Sequence, residues 1–115
     1  SNAAKLALGV TRESLDEHGA VSEPVAREMA QAARDAAGTT WAVSTTGIAG
    51  PTGGTPEKPV GTVYVGVAYA GEWGTGRTET TVTRQEYDGS RTEINEQVAR
   101  GALDALLAAV DRIGQ

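Results

Sequence analysis

The chain has 115 residues, a formal net charge of −5, an apolar fraction of 39%, and neither Phe nor Cys. That length makes one domain with an aliphatic core, and it excludes disulfides and thiolate metal sites. The acidic balance excludes a general nucleic-acid binder, which needs a basic stripe. His18 is the lone histidine, so a zinc site is not expected, and no metal or other cofactor is. No apolar run approaches the roughly 18 residues of a spanning helix, and no secretory signal stands out, so the sequence reads as a soluble, cytoplasmic protein with no membrane partner. Lys5 and Lys58 are its only lysines, and the acid-rich, Thr- and Ala-rich surface is of the salt-adapted, halophilic-like type.

Ser1-Asn2-Ala3 resembles the scar of a cleaved tag, which leaves residues 4–115 as the domain. Ala4 to Leu8 reads as the end of a helix stopped at Gly9. Thr11 caps a short helix, Arg12 to His18, ended by Gly19. His18 at that end suits the helix dipole. Ser22 is an N-cap, with Glu23 and Pro24 in the first turn, where an acid and a proline match the free N–H groups. Val25, Met29, Ala32, Ala33 and Ala36 follow at helical spacing and predict an amphipathic helix over Glu23 to Ala37.

Trp41 to Thr45 is a short strand. It runs into a loop punctuated by Gly47, Gly50, Pro51, Gly53, Gly54, Pro56 and Pro59. From Gly61 to Tyr69, Val63, Val65 and Val67 alternate with Tyr64, Gly66 and Ala68, the two-residue period of a strand. Gly71 to Gly74 is a turn, and the Thr-rich segment Arg77 to Tyr87 is the antiparallel partner. Ser90 and Glu93 form a capping box that opens a helix reaching about Arg112. Ile94, Val98, Ala102, Ala105, Leu106 and Ala109 form its main stripe, widened by Leu103, Leu107 and Val110. The expected architecture is α/β, three-layer and sandwich-like, with helices packed on a mixed sheet.

The loop has two readings. Free N–H groups with little Cβ bulk can cradle an anion, and Gly47, Gly50, Gly53 and Gly54 supply both. No Gly-Lys-Ser/Thr or G-x-G-x-x-G order is present, so a structural turn is the equal alternative on spacing alone. The loop's place after a strand favours a ligand. Thr45 and Thr46 offer hydroxyls at the strand's mouth, or bond local backbone. Lys58, between Glu57 and Pro59, reads as a solvated lysine. Arg91 stands on the first turn of the last helix, where a cation opposes the dipole; an anion held there explains the placement, as does a plain surface arginine.

Ser44 to Val63, S-T-T-G-I-A-G-P-T-G-G-T-P-E-K-P-V-G-T-V, resembles the signature of the CinA C-terminal domain family (competence/damage-inducible proteins), the nicotinamide mononucleotide (NMN) deamidases. Gly19-Ala-Val-Ser-Glu-Pro24 and Gly89-Ser-Arg91 match further family segments in order and spacing. The resemblance implies hydrolysis of the NMN carboxamide to nicotinic acid mononucleotide and ammonia, in pyridine nucleotide salvage and without metal or cofactor. It makes Lys5 the general base by match to a Y-S-N-x-x-K segment, which Ser1-Asn2 either continue or imitate as a tag scar. It makes Thr45, Thr46, Gly47, Ile48, Ala49, Gly50, Gly53 and Gly54 the substrate-holding loop, with Thr46 and Gly47 nearest the chemistry, and it brings Arg91 to the phosphate.

Two departures matter. The 115 residues contain no T-A-E-S-C-T-G-G segment, which carries the family's nucleophilic serine. The second arginine expected one turn after Arg91 is Asn95. Three readings stand: an amputated deamidase, inactive alone; a non-catalytic module binding a pyridine nucleotide or other phosphate; or a structural domain. The family's first helix and strand are also absent, which leaves sheet edge and face uncovered and predicts a homo-oligomer, a dimer foremost.

Overall fold

The computed structural model describes residues 9–114. Lys5, the helix end expected over Ala4 to Leu8 and the tag-like triplet lie outside them. The elements follow the order α1 (Arg12–His18), α2 (Glu23–Ala37), β1 (Trp41–Gly47), β2 (Thr62–Tyr69), β3 (Glu79–Glu86) and α3 (Arg91–Ile113).

Local chemistry sets these boundaries. Thr11 Oγ1 accepts from the Ser14 amide, and the Gly19 amide closes α1 onto Leu15 O. Gly38, at φ 64°, closes α2 in the left-handed conformation, which glycine adopts without a Cβ penalty. Ser22 takes the N-cap position of α2, but its hydroxyl caps nothing in the helix. It donates instead to Gly19 O at 2.8 Å, because the preceding turn brings that carbonyl within reach. At α3 the capping box is complete in both directions.

β2 is the central strand, flanked by β1 and β3 in the order β1-β2-β3. Both pairings are antiparallel among the described residues, where a mixed sheet is expected. The physical reason lies in the connections: parallel neighbours need a crossover of a dozen or more residues, usually helical, whereas β2 and β3 are joined by the short turn at Gly71 to Gly74 and β1 and β2 by an irregular loop. β1 also runs two residues further than expected, since Thr46 and Gly47 remain in register with Tyr64 and Val63.

Helices cover both faces, giving three layers. The face carrying Ser44, Thr46, Tyr64, Gly66 and Ala68 meets α2, whose Val25, Ala26 and Ala30 are fully buried. The approach is close. A Cβ on Gly66 would stand 2.7 Å from Ala26 O, and Ser44 Oγ donates to that same carbonyl at 2.7 Å. The opposite face, with Val63, Val65 and Val67, receives α3 through Ile94 and Ala109. β2 is buried from Thr62 to Ala68, as a strand covered on both faces must be. Val10, Leu15 and Val25, with Ala20 and Met29, form an apolar cluster that fixes α1 on α2. Leu103 and Leu107 remain 56% exposed on the outer side of α3. No helix among the described residues is long and apolar enough to cross a membrane.

Candidate functional site

The carboxyl end of β1, the loop 48–61 and the first turn of α3 converge. Ile48 donates its amide to Thr62 O at 3.0 Å, and the Gly61 amide donates to Ile48 O at 2.6 Å, so the two limbs of the loop are zipped at their base. Above this base, Gly47, Ile48, Ala49, Gly50, Thr52 and Gly53 line a cavity of about 360 Å³ together with Arg91. It is open to solvent and falls within the ~300–1,000 Å³ of small-molecule sites. A smaller compartment of about 120 Å³ shares Gly47, Ile48 and Ala49 and is closed by Thr45, Val63, Ile94, Asn95 and Val98. One compartment thus carries a guanidinium, and the other carries apolar walls with a hydroxyl and an amide.

The glycines of the loop serve mostly its own packing. A side chain on Gly47 would meet Val63 Cγ2 at 2.8 Å, and one on Gly54 would meet the Val60 amide nitrogen at 2.6 Å. Gly50 has φ 81° and lies against the Val60 side chain. Gly53 alone of the four leaves open space beside it, with only Ile48 Cγ2 at 3.6 Å. Gly54 lines neither compartment.

The two threonines part company, as neighbours on a strand do. Thr45 faces the smaller compartment. Thr46 is buried on the α2 side, where its Oγ1 donates to Ala20 O at 2.7 Å, so its hydroxyl points away from the cavity. Arg91 is exposed at the first helical position, and its side chain makes no ion pair or hydrogen bond with the described residues. Asn95, one turn later, reaches the smaller compartment.

Lys58 is half-buried and bonded rather than free in solvent. Its Nζ donates to His18 O at 3.2 Å and to Val21 O at 2.5 Å, carbonyls of the turn between α1 and α2. The adjoining Glu57 O accepts from Arg84 Nη2 at 2.8 Å. Arg84 also bonds Glu86, which chiefly raises its already high pKa, and it stacks 5.7 Å from the Tyr64 ring centre. Neither tie left a signal in the sequence, because a side chain bonded to a distant carbonyl has no period and no motif. The members of the smaller compartment from α3, Ile94, Asn95 and Val98, follow from the helical period only once the helix is placed on the loop.

A depression nearby, lined by Asp88, Glu93, Glu96, Gln97 and Arg100, is of similar size. It carries three carboxylates against the single guanidinium of Arg100, a charge balance that disfavours an anion. Arg91 and the loop therefore form the candidate site.

Fold and site together define a three-layer α/β domain with an open cavity built from a glycine-rich strand-end loop and a basic helix start. The CinA C-terminal domain profile matches residues 1–110, and the chain belongs to that family. It is 52% identical over 111 residues to a CinA-like protein of Anaeromyxobacter dehalogenans (strain 2CP-1), covering 96% of this chain and 26% of the relative. It is 51% identical over 104 residues to a CinA-like protein of Salinibacter ruber, covering 90% of this chain and 24% of the relative. Among solved structures, the competence/damage inducible protein CihA from Agrobacterium tumefaciens superposes with a TM-score of 0.86 at 37% identity, covering 100% of this chain and 65% of that one. A competence or damage-inducible protein from Enterobacter asburiae gives 0.84 at 33% identity, with 96% and 65% covered. The chain thus spans about a quarter of the length of these curated relatives and about two thirds of the solved chains.

Proposed function

We propose that this domain is the substrate-holding part of a nicotinamide-nucleotide amidohydrolase, which converts NMN to nicotinic acid mononucleotide and ammonia. The observation that carries this reading is the convergence of Gly47 to Gly50, Gly53 and Arg91 on one cavity of about 360 Å³. Arg91 meets the phosphate, since a guanidinium presents paired donors to an oxyanion. The adjoining compartment, with Thr45 and Asn95 among apolar walls, offers a flat carboxamide-bearing ring both packing and polar partners.

In the reaction a serine hydroxyl attacks the carboxamide carbon, and a lysine held neutral takes its proton. The lysine returns that proton to the departing nitrogen as the C–N bond breaks, ammonia leaves, and water, giving up a proton in turn, resolves the acyl-serine to the carboxylate and restores the serine hydroxyl. Lys5 takes the role of base by its place in the family pattern. The serine belongs to a segment that these 115 residues do not contain, so this chain alone binds without turning over. The reading includes self-association of the domain as a homo-oligomer.

Ammonia release from NMN is the test, measured for this chain and for one extended at its N-terminus through a serine-bearing segment. Turnover only in the extended chain supports the proposal. Turnover by the present chain overturns its inactivity. Silence in both, with NMN still raising the melting temperature, favours a second reading that the intact cavity also supports, a non-catalytic module for a pyridine nucleotide. A melting temperature unmoved by NMN and by inorganic phosphate leaves a structural domain.

A further inference from the structure

The turn between α1 and α2 presents four consecutive carbonyls, His18 to Val21, and each accepts from a side chain. Ser22 Oγ takes Gly19 O, Thr46 Oγ1 takes Ala20 O, and Lys58 Nζ takes both His18 O and Val21 O. The donors come from the start of α2, the end of β1 and the far limb of the glycine-rich loop. An ammonium on two carbonyls makes charge-assisted bonds, the stronger kind. Only Lys58 among these donors belongs to the loop; while Arg84 Nη2 holds the neighbouring Glu57 O from β3, Lys58 reaches the 18–21 turn. Its own amide donates to Thr55 Oγ1 at 3.0 Å, and its carbonyl accepts from the Thr55 amide at 2.9 Å. Thr55 is two residues from Gly53, which lines the cavity with Arg91. The ammonium therefore pins the Thr55–Lys58 turn to the body of the domain, and through it the cavity-forming limb.

We propose that Lys58 is the positioning residue of the ligand site: its bonds to the 18–21 turn keep the loop in the conformation that forms the cavity floor, without touching the ligand. This rests on the reading of that cavity as a nucleotide site. An unlatched loop samples conformations that cannot bind, and apparent affinity falls by the competent fraction. Lys58→Met keeps the stem's bulk and removes the donors.

Two measurements on the full chain decide it: NMN affinity by titration calorimetry, and residue-resolved amide hydrogen exchange without ligand. Lys58→Met is expected to weaken NMN binding by roughly tenfold, which corresponds to a loop competent about a tenth of the time. Exchange at residues 49–55 is expected to accelerate while Val63 to Val67 keep wild-type protection. Lys58→Arg, which retains a cation with several donors, is expected to recover most of the affinity. Wild-type affinity and wild-type loop exchange in Lys58→Met overturn the proposal. Loss of protection in β2 along with the loop overturns it as well, since Lys58 is then a general stabiliser. If the wild-type chain itself does not bind NMN, the nucleotide reading fails and the ligand role with it. Loop exchange then still reports separately whether the latch exists.

Discussion

Glu93 ties the start of α3 to the pH of the solution. Its carboxylate accepts from the Ser90 amide at 2.9 Å, while the Glu93 amide donates to Ser90 Oγ at 3.2 Å. The bond from the Ser90 backbone, followed by that from its side chain, holds the Glu93 carboxyl below the usual carboxylate range. A folded-state pKa that is depressed contributes stability present above the unfolded value, about 4.3, and lost as pH falls through the folded one. Glu93→Ala is therefore expected to lower the urea midpoint at pH 7, and the gap to wild type is expected to close as pH drops below about 4. A gap constant down to pH 3 contradicts this. The capping box was legible because its chemistry is local: Ser90 and Glu93 are three residues apart on one turn. The fold adds that Arg91 lines the cavity with the loop, and its place at the helix start was legible for the same reason. Lys58 was not, since its acceptor Val21 O lies 37 residues away and any loop lysine looks solvated in sequence. The orientation of Thr46 waited on the strand's true length. Ending β1 at Thr45 hides that Thr46 still obeys the strand's alternation and so faces α2.

At the scale of elements, the alternation of β2 gave both of its faces correctly, and the caps of α1 and α3 gave their boundaries. What alternation cannot give is the partner on each face or the direction of pairing. Gly66 illustrates the gap. In the sequence it is a gap in a run of valines; in the fold it is the place where α2 settles onto the sheet. A methyl there would stand 2.7 Å from Ala26 O and 2.7 Å from Ser44 Oγ. The first obstacle is helix backbone, which cannot move aside alone. Gly66→Ala is expected to destabilise the domain by about 1–3 kcal/mol, the usual range for overpacking, read from chemical denaturation. Gly74, with nothing within 4 Å of a built Cβ, meets no such obstacle and serves as the comparison, although its φ of 83° makes Gly74→Ala strained for a different reason. The discriminating feature is the hydrogen bond from Ser44. Ser44→Ala removes one of the two close contacts and leaves Ala26 O in place, so Gly66→Ala in that background is expected to cost less than in wild type but not to become neutral.

For the whole molecule, α3 is the element with apolar surface to spare. Its stripe from Ile94 to Ala109 lies on the sheet, but Leu103 and Leu107 are 56% exposed and Val110 is 40% exposed. These residues follow the three- and four-residue spacing of a helix–helix seam. Beside them the groove between α3 and the β2–β3 surface, about 270 Å³, is walled by Val65, Val67, Ala105 and Ala108. An antiparallel pairing of two copies about an axis near Leu107 sets Leu103 of one against Val110 of the other, as a two-fold interface requires. It also brings Arg100 of each copy near Asp111 of the other, so the charges flanking the seam are complementary. The homo-oligomer of the proposed function is therefore expected to be a dimer through α3 rather than a stack through the acidic remainder of the surface. Sedimentation at rising concentration is expected to show a monomer–dimer equilibrium. Leu107→Glu, which places two carboxylates close to the axis, is expected to shift it to monomer by more than tenfold in Kd without lowering the melting temperature of the dilute protein. Salt is expected to act weakly, because the seam is apolar and only its rim is charged. A wild-type chain that stays monomeric at millimolar concentration removes the dimer, and a dimer indifferent to Leu107→Glu places the contact on another surface.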